Sequence, residues 1–542
     1  MALHSLCSDE FHSFLFDKIP TDGTCDWITD KREFAEWLND SVVDKQRLWM
    51  QGPHGCGKSF LARHIVSKAI PGSGVEPIHC SLSTAAPGRG NLQALLRSTL
   101  HQVFRLMLTV KDNKDSGKRP GPPEAVEQGP LKTSVDLLLA QVIEAERSET
   151  ANHSYNEDVW TQERLISLWP SIMSEAVADG KVTMVVDGLD ELKMGDQKQF
   201  FNCLDELDSK LKDRPEDAKR LKILILTTEE KAAAGVPPGA HAGRFRQDEV
   251  ADAFGFRAYR VTPSDTESDI RRTVQHGLNA IWEARGYTDD ELKRRVCEKI
   301  VTNSGGNYLW AALVVQELGR RPDITDEVID KVPRTLNELY DYILGRITMP
   351  GGGYDLEFTK QVLKWTIFQQ GPLKAAEFNT AQAVSMAQEK KANSDKVNST
   401  DLEELLSGNI KTKINFHCGP LVKITEGGLE LVHSSLKKYL TMGVGRFRFP
   451  SFLGGLSDES RSNRELAAAC MTYLTMPQFE GLSIERGEGE RGRDKWETRV
   501  ENNQGAPFPE ICGTTLVQAS RRRGSNIAGR HGLPGSWTAS KP

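Results

Sequence analysis

The chain has 542 residues, too many for one hydrophobic core, and its length points to about three or four domains. A hydrophobic fraction of 38% leaves room for polar segments outside any core. A net charge of −6, from 69 basic and 75 acidic residues, gives no strong field to steer nucleic acid or anionic lipid, so neither is an expected partner. No apolar run is long enough to span a bilayer, and Met1 to Ser13 lacks the charged-then-apolar order of a signal peptide. The nine cysteines are scattered from Cys7 to Cys512 without CxxC or Cys/His metal spacing. Reduced thiols and a cytoplasmic setting are expected, not a disulfide framework or a zinc site.

Residues 1–23 read as a short leader. From Thr24 a helical pattern begins, and Phe34, Trp37 and Leu38 recur at helical spacing. This helix is read either as a packing element or as a wall of a base pocket, because a phosphate-type loop follows. Leu48-Trp49-Met50 is a short apolar strand. Then comes Gly52-Pro53-His54-Gly55-Cys56-Gly57-Lys58-Ser59, followed by a helical pattern from Phe60 to Val66. Strand, glycine loop, Lys-Ser and helix is the P-loop order. Gly52, Gly55 and Gly57 let successive N–H groups turn inward around an anion, with Cys56 as a small filler and Phe60 opening the helix. Lys58 is placed to reach the β/γ-phosphates of ATP or GTP, and Ser59 to hold Mg²⁺.

Glu76 to Leu82 reads as a strand and Leu92 to Leu108 as a helix. Residues 110–130 carry Lys, Asp, Pro and Gly without periodicity and read as a polar insertion. Helical patterning resumes at Val135 to Glu146 and Gln162 to Ala178. The β-forming run Val182 to Val186 then ends in Asp187-Gly188-Leu189-Asp190-Glu191. A buried parallel strand delivers its last residue to the edge of the sheet where ligands of open α/β sheets bind. Asp187 is therefore placed to share the Mg²⁺ shell with Ser59, and Asp190 or Glu191 to orient or deprotonate an attacking water. The alternative is an acid-rich helix start that needs no chemistry.

Leu221 to Leu226 is a third buried strand, ending in Thr227-Thr228-Glu229. Either threonine is placed to contact a γ-phosphate, while Glu229 would repel one. Arg257 to Val261 is a fourth short strand, on which Arg260 reads as a solvated charge or a phosphate sensor. Helices follow at Ser268 to Arg285, Asp289 to Thr302, Tyr308 to Leu318, Leu336 to Ile347, Phe358 to Phe368, Ala375 to Ala387 and Leu402 to Leu406. Strands at 421–425 and 429–432 form a candidate β-ribbon, returning through His433 to a helix at Ser434 to Leu440. Arg464 to Leu474 is one more helix. Residues 482–542 are charged, glycine-rich and aperiodic, the composition of disorder.

Taken in order, these motifs resemble the fungal NACHT-type STAND P-loop NTPases, the group with a nephrocystin-3-like N-terminal domain. The resemblance rests on Thr24-Cys25-Asp26-Trp27 with Phe34 to Leu38, the loop at 52–59, and Asp187 to Glu191. It continues through Gly306-Asn307-Tyr308-Leu309-Trp310-Ala311, Val332-Pro333 to Leu344, and Leu431 to Ser435 with Tyr439-Leu440. It implies an α/β P-loop NTPase domain at 24–262, with a parallel sheet and flanking helices. A helical domain at 263–348, a winged-helix domain at 349–445 and a helical segment at 446–481 would follow. It also implies a nucleotide-gated signalling switch that holds ADP or GDP in the off state and exchanges it for ATP or GTP with Mg²⁺. Slow hydrolysis would reset the switch, and activation would bring self-association or pairing with related STAND proteins, as in fungal non-self recognition or programmed cell death. His433 matches a family histidine that contacts the diphosphate. The alternative is a non-catalytic nucleotide-binding scaffold or truncated regulator.

Three features depart from that pattern. The family's Thr-Ser-Arg at the third strand end is Thr227-Thr228-Glu229 here, no effector domain precedes residue 24, and no repeats follow. Around Phe508, a one-base shift of the reverse-translated chain can read Phe-Leu-Arg-Tyr-Ala-Ala-x-His-Trp, the family's usual lead into repeats. The tail is thus either disordered or out of frame.

Overall fold

A computed structural model describes residues 22–39, 46–73, 75–84, 88–115, 160–229, 251–321, 323–349, 351–369, 371, 373–390, 397–425, 428–442, 456 and 458–476. All but the last two residues of the expected leader, the helix at Val135 to Glu146, most of the polar insertion and the tail, with its frame-shift reading, lie outside the described residues. The chain divides into two compact units, residues 1–84 with 89–335 and residues 85–88 with 336–542.

The first unit is built on five strands: β1 (Arg47–Gly52), β2 (Ile78–Ser81), β3 (Val182–Asp187), β4 (Leu221–Thr228) and β5 (Arg257–Arg260). They form one parallel sheet in the order β2-β3-β4-β1-β5. The flanking helices are α1 (Arg32–Asn39), α2 (Lys58–His64), α3 (Leu92–Asp115), α4 (Gln162–Asp179) and α5 (Met194–Leu211). Both faces of the sheet are covered, which is why the strands read as continuous apolar runs. Because successive strand side chains point to opposite faces, the runs divide between two cores. Trp49, Met184, Val186, Ile223 and Ile225 pack with α3, α4 and α5. Leu48, Met50, Val185, Leu224 and Leu226 pack with Phe34 and Trp37 of α1 and with Leu61 and Ala62 of α2.

Two sequence expectations are corrected here. The helix expected to end at Leu108 runs to Asp115, so the first residues of the expected insertion are helical. The helix expected from Ser268 starts earlier, as α6 (Pro263–Arg285), because Thr262 and Asp265 form a capping box around its first turn. α5 carries no chemical motif, but Phe200, Phe201, Leu204, Leu207 and Leu211 show helical spacing and are all buried. α7 (Asp290–Ser304) and α8 (Tyr308–Arg320) complete the first unit, with a short helical turn at Asp326–Asp330.

The second unit contains α9 (Leu336–Ile347), α10 (Leu356–Phe368), α11 (Ala375–Lys390), α12 (Ile410–Cys418), an antiparallel ribbon of β6 (Val422–Thr425) and β7 (Gly428–Leu431), α13 (Ser434–Met442) and α14 (Glu459–Leu474). The expected helix at Leu402 to Leu406 lies slightly earlier, at Ser399–Glu403, because the Asn398 side chain caps the N–H of Asp401 and the Asp401 carboxylate caps the N–H of Asn398. Tyr340 of α9 and Tyr439 of α13 pack with ring centroids 5.3 Å apart, and Tyr439 donates to Asp341 Oδ1 at 2.5 Å. No described helix is long and apolar enough to cross a membrane.

Trp49 marks the centre of the larger core. Its ring stacks on Phe201 at 5.8 Å, and its Nε1–H donates to Thr227 Oγ1 at 2.7 Å. Removing the indole leaves a cavity and costs Thr227 its buried donor. Trp49→Ala is expected to lose about 3–5 kcal/mol of stability, read as a lower urea unfolding midpoint; an unchanged midpoint would contradict the packing described.

Candidate functional site

β1 ends at Gly52, and the chain reverses through five residues into α2. Gly55 and Gly57 sit at φ 78° and 95°, a region that side chains with a Cβ avoid. At Gly55 a Cβ would also run into the Asn307 side chain. The outward carbonyls of the loop are held from one side. Asn307 Nδ2 donates to His54 O at 3.2 Å, and Leu309 N–H donates to Gly55 O at 3.0 Å. Asn307 can hold this position because its Oδ1 caps α8, accepting from Trp310 N at 2.9 Å. Lys58 curls back over the loop and donates to Gly52 O at 3.0 Å and Pro53 O at 2.9 Å. Its Nζ lies 3.9 Å from Cys56 Sγ, and burial pushes that thiol's pKa up, as expected of a packing residue.

Asp187 arrives at the same sheet edge as the last residue of β3 and is 3% exposed. Ser81 Oγ donates to its Oδ2 at 2.9 Å, and Ser59 also hydrogen-bonds to it. Burial pushes its carboxyl pKa up, while those two hydroxyls and the charge of Lys58 pull it back. Ser59, Lys58 and Asp187 thus come together from two separate motifs, at a spacing of more than a hundred residues in sequence.

Asp190 and Glu191 follow Asp187 on a 3₁₀ turn, Leu189–Glu191, and each is engaged in holding backbone. Asp190 Oδ1 accepts from Thr228 N at 3.1 Å. Glu191 Oε2 accepts from Thr84 N at 3.3 Å and from the Thr84 hydroxyl. Thr227 is 1% exposed and accepts from Trp49, which places its hydroxyl in the core and not at a phosphate. Glu229 pairs with Arg260 at 3.4 Å, so the acid and the base of the two strand ends face each other. In the second unit, His433 Nδ1 accepts from Ser435 N at 3.1 Å and lies 2.8 Å from its hydroxyl, at the start of α13.

The sequence reading gave no role to the face of α6 that grips residues 23–31. Asp265 pairs with Lys31 at 2.5 Å and accepts from Tyr259 OH at 3.0 Å. One turn on, Asp269 Oδ2 accepts from Cys25 N at 2.8 Å and from Trp27 Nε1 at 2.9 Å. Arg272 donates to Gly23 O. The Thr262-x-x-Asp265 capping box was a signal available in the sequence; the reach of Asp269 to a segment 244 residues away was not. Between this anchored segment and the glycine loop is a narrow cleft. It is lined by Thr24, Cys25 and Trp27, by Gly57, Lys58 and Phe60, and by Thr266, Asp269 and Tyr308. Its interior of about 10 Å³ is room for about one water. Phe60 stacks on Tyr308 with centroids 5.7 Å apart, closing one wall.

Residues 23–119 match the family described as Nephrocystin 3, N-terminal. The matched segment starts at the residues held by α6 and includes the glycine loop and α2, so that half of the site has a family counterpart. It stops before β3, and Asp187 and Asn307 lie outside it. No curated protein matches the chain.

His64 on α2 shows how the anchored segment bears on stability. It is buried, with Nε2 3.6 Å from Asp26 Oδ1, and burial outweighs that carboxylate to hold its pKa below 6.5. The unfolded chain therefore takes up the proton first. Stability falls as pH drops below about 6.5 and the loss is complete once the folded-state pKa is passed. Thermal unfolding between pH 8 and 5 is expected to show this fall in the wild type and a shallower one in His64→Gln; identical slopes would contradict it.

Proposed function

We propose that the glycine loop is a P-loop and that the first unit is a Mg²⁺-dependent ATP- or GTP-binding domain. The observation that carries this reading is the position of Lys58, whose ammonium bridges the carbonyls of Gly52 and Pro53 at the mouth of a loop whose His54 and Gly55 carbonyls are tied to Asn307 and Leu309. With His54 O and Gly55 O engaged on one side, the loop can offer N–H groups on the other. Lys58 can swing from two neutral acceptors to a phosphate, which is the stronger partner.

The donor set suits magnesium. Ser59 and Asp187 supply two oxygen ligands, and no group of three His, Cys, Asp or Glu among the described residues forms a closed metal cage. Magnesium characteristically takes one or two protein oxygens and completes its shell with phosphate oxygens and water. When bound, it would neutralise phosphate charge. The base of the nucleotide would enter the cleft beside Lys58, parting Trp27 from Tyr308. Residues 23–31 would then move with ligand binding, giving a nucleotide-gated signalling switch of the NACHT/STAND kind. The ribbon with α12 and α13 would serve as a winged-helix module in it, and turnover would only reset the switch.

A second reading is favoured by one observation. Asp190 and Glu191, the candidates for activating water, both already accept hydrogen bonds from the backbone. That arrangement suits a chain that binds nucleotide and hydrolyses it slowly or not at all, as a scaffold or regulator.

Lys58→Ala is expected to weaken nucleotide binding by roughly tenfold to a hundredfold, the worth of a charge-assisted hydrogen bond. Asp187→Asn is expected to remove the Mg²⁺ dependence of that binding. Titration calorimetry with and without Mg²⁺ measures both, and unchanged affinity in Lys58→Ala would refute the P-loop reading.

A further inference from the structure

We infer that Asp269 reads the base of the bound nucleotide and selects guanine over adenine; this rests on the nucleotide-binding reading above. Asp269 is 4% exposed and lines the cleft together with Lys58, Gly57 and Tyr308. A ligand held by its phosphates on the loop would bring its base against this carboxylate.

The two oxygens of Asp269 are in different situations. Oδ2 is filled by two donors, Cys25 N–H at 2.8 Å and Trp27 Nε1–H at 2.9 Å. Burial holds the carboxyl pKa above its ordinary value, while both donors and the charge of Arg272 pull it back. Oδ1 accepts no hydrogen bond among the described residues. A carboxylate is an acceptor only, so in a residue that lines the cleft and is otherwise enclosed this oxygen is free to take a donor from a ligand.

The Watson–Crick edge of guanine carries two adjacent donors, N1–H and the N2 amino group. That of adenine carries one donor, the N6 amino group, next to the N1 lone pair. Facing Oδ1, guanine can converge two N–H groups on the oxygen. Adenine would set a lone pair close to a negative charge. Sites built to hydrogen-bond a ligand group discriminate strongly against the analogue that lacks it. The aromatic faces of Trp27 and Tyr308 add affinity for either base and therefore do not choose between them.

Asp269 also holds Cys25 and Trp27 in place, so loss of affinity alone does not separate reading from positioning. The ratio between bases does, because a positioning defect weakens all nucleotides alike. The test is calorimetry of the full chain with Mg²⁺ and GDP, IDP or ADP. GDP is expected to bind about tenfold to a hundredfold more tightly than ADP, with IDP, which keeps N1–H and lacks the N2 amino group, in between. In Asp269→Asn the GDP:ADP ratio is expected to collapse toward one. Equal affinities in the wild type, tighter ADP, or a ratio unchanged in Asp269→Asn would overturn the inference. Should Asp269→Asn fail to fold, the wild-type series decides alone. Binding of all three without preference leaves the P-loop reading standing and sinks this one, whereas no binding of any of them sinks both.

Discussion

The backbone between Gly52 and Lys58 turns sharply between a strand and a helix, its carbonyls have to find partners within that turn, and much of the first unit's site is arranged around that demand. Gly55 and Gly57 supply the positive φ angles. Asn307 and Leu309 take up the carbonyls of His54 and Gly55, and Lys58 takes those of Gly52 and Pro53. The parallel sheet contributes a rigid edge, with Glu229 N donating to Gly52 O at 2.9 Å to tie the loop's first residue to β4. Buried polar groups without partners are costly, and the carbonyls from Gly52 to Gly55 each have a donor.

Much of this was legible in the sequence, for reasons that are local. The strands of the sheet appear as apolar runs because both faces are covered, and Lys58, Ser59 and Asp187 stand at positions fixed by strand ends and helix starts. The residues that escaped notice act at long range. Asn307 lies 253 residues from His54, and Asp269 lies 242 from Trp27. Nothing in the spacing of either pair marks them as partners. Asp190 and Glu191 show the opposite limit. Their sequence suits water activation, and their hydrogen bonds to Thr228 and Thr84 give them a second role, bracing neighbouring strand ends. An acid after a strand is equally suited to chemistry and to capping backbone, and its place in the sequence does not distinguish the two.

The grip of α6 on residues 23–31 gives the proposed switch a physical form. Asp265, Asp269 and Arg272 hold the anchored segment, and the segment closes the cleft against Tyr308 and Phe60. Under the proposed function, a base that entered would have to displace part of this closure, so binding energy would be spent on moving the segment that α6 holds. Proteins in which ligand and closure compete in this way report occupancy through conformation, because the ligand binds one arrangement better than the other.

The most direct test of the account is to denature the purified full chain and identify by chromatography any nucleotide it releases, followed by calorimetry of the stripped and refolded protein with Mg²⁺ and GDP or ADP. The account predicts a nucleoside diphosphate or triphosphate carried through purification, or saturable binding of one equivalent when it is added back. A chain that carries none and binds neither diphosphate would contradict it.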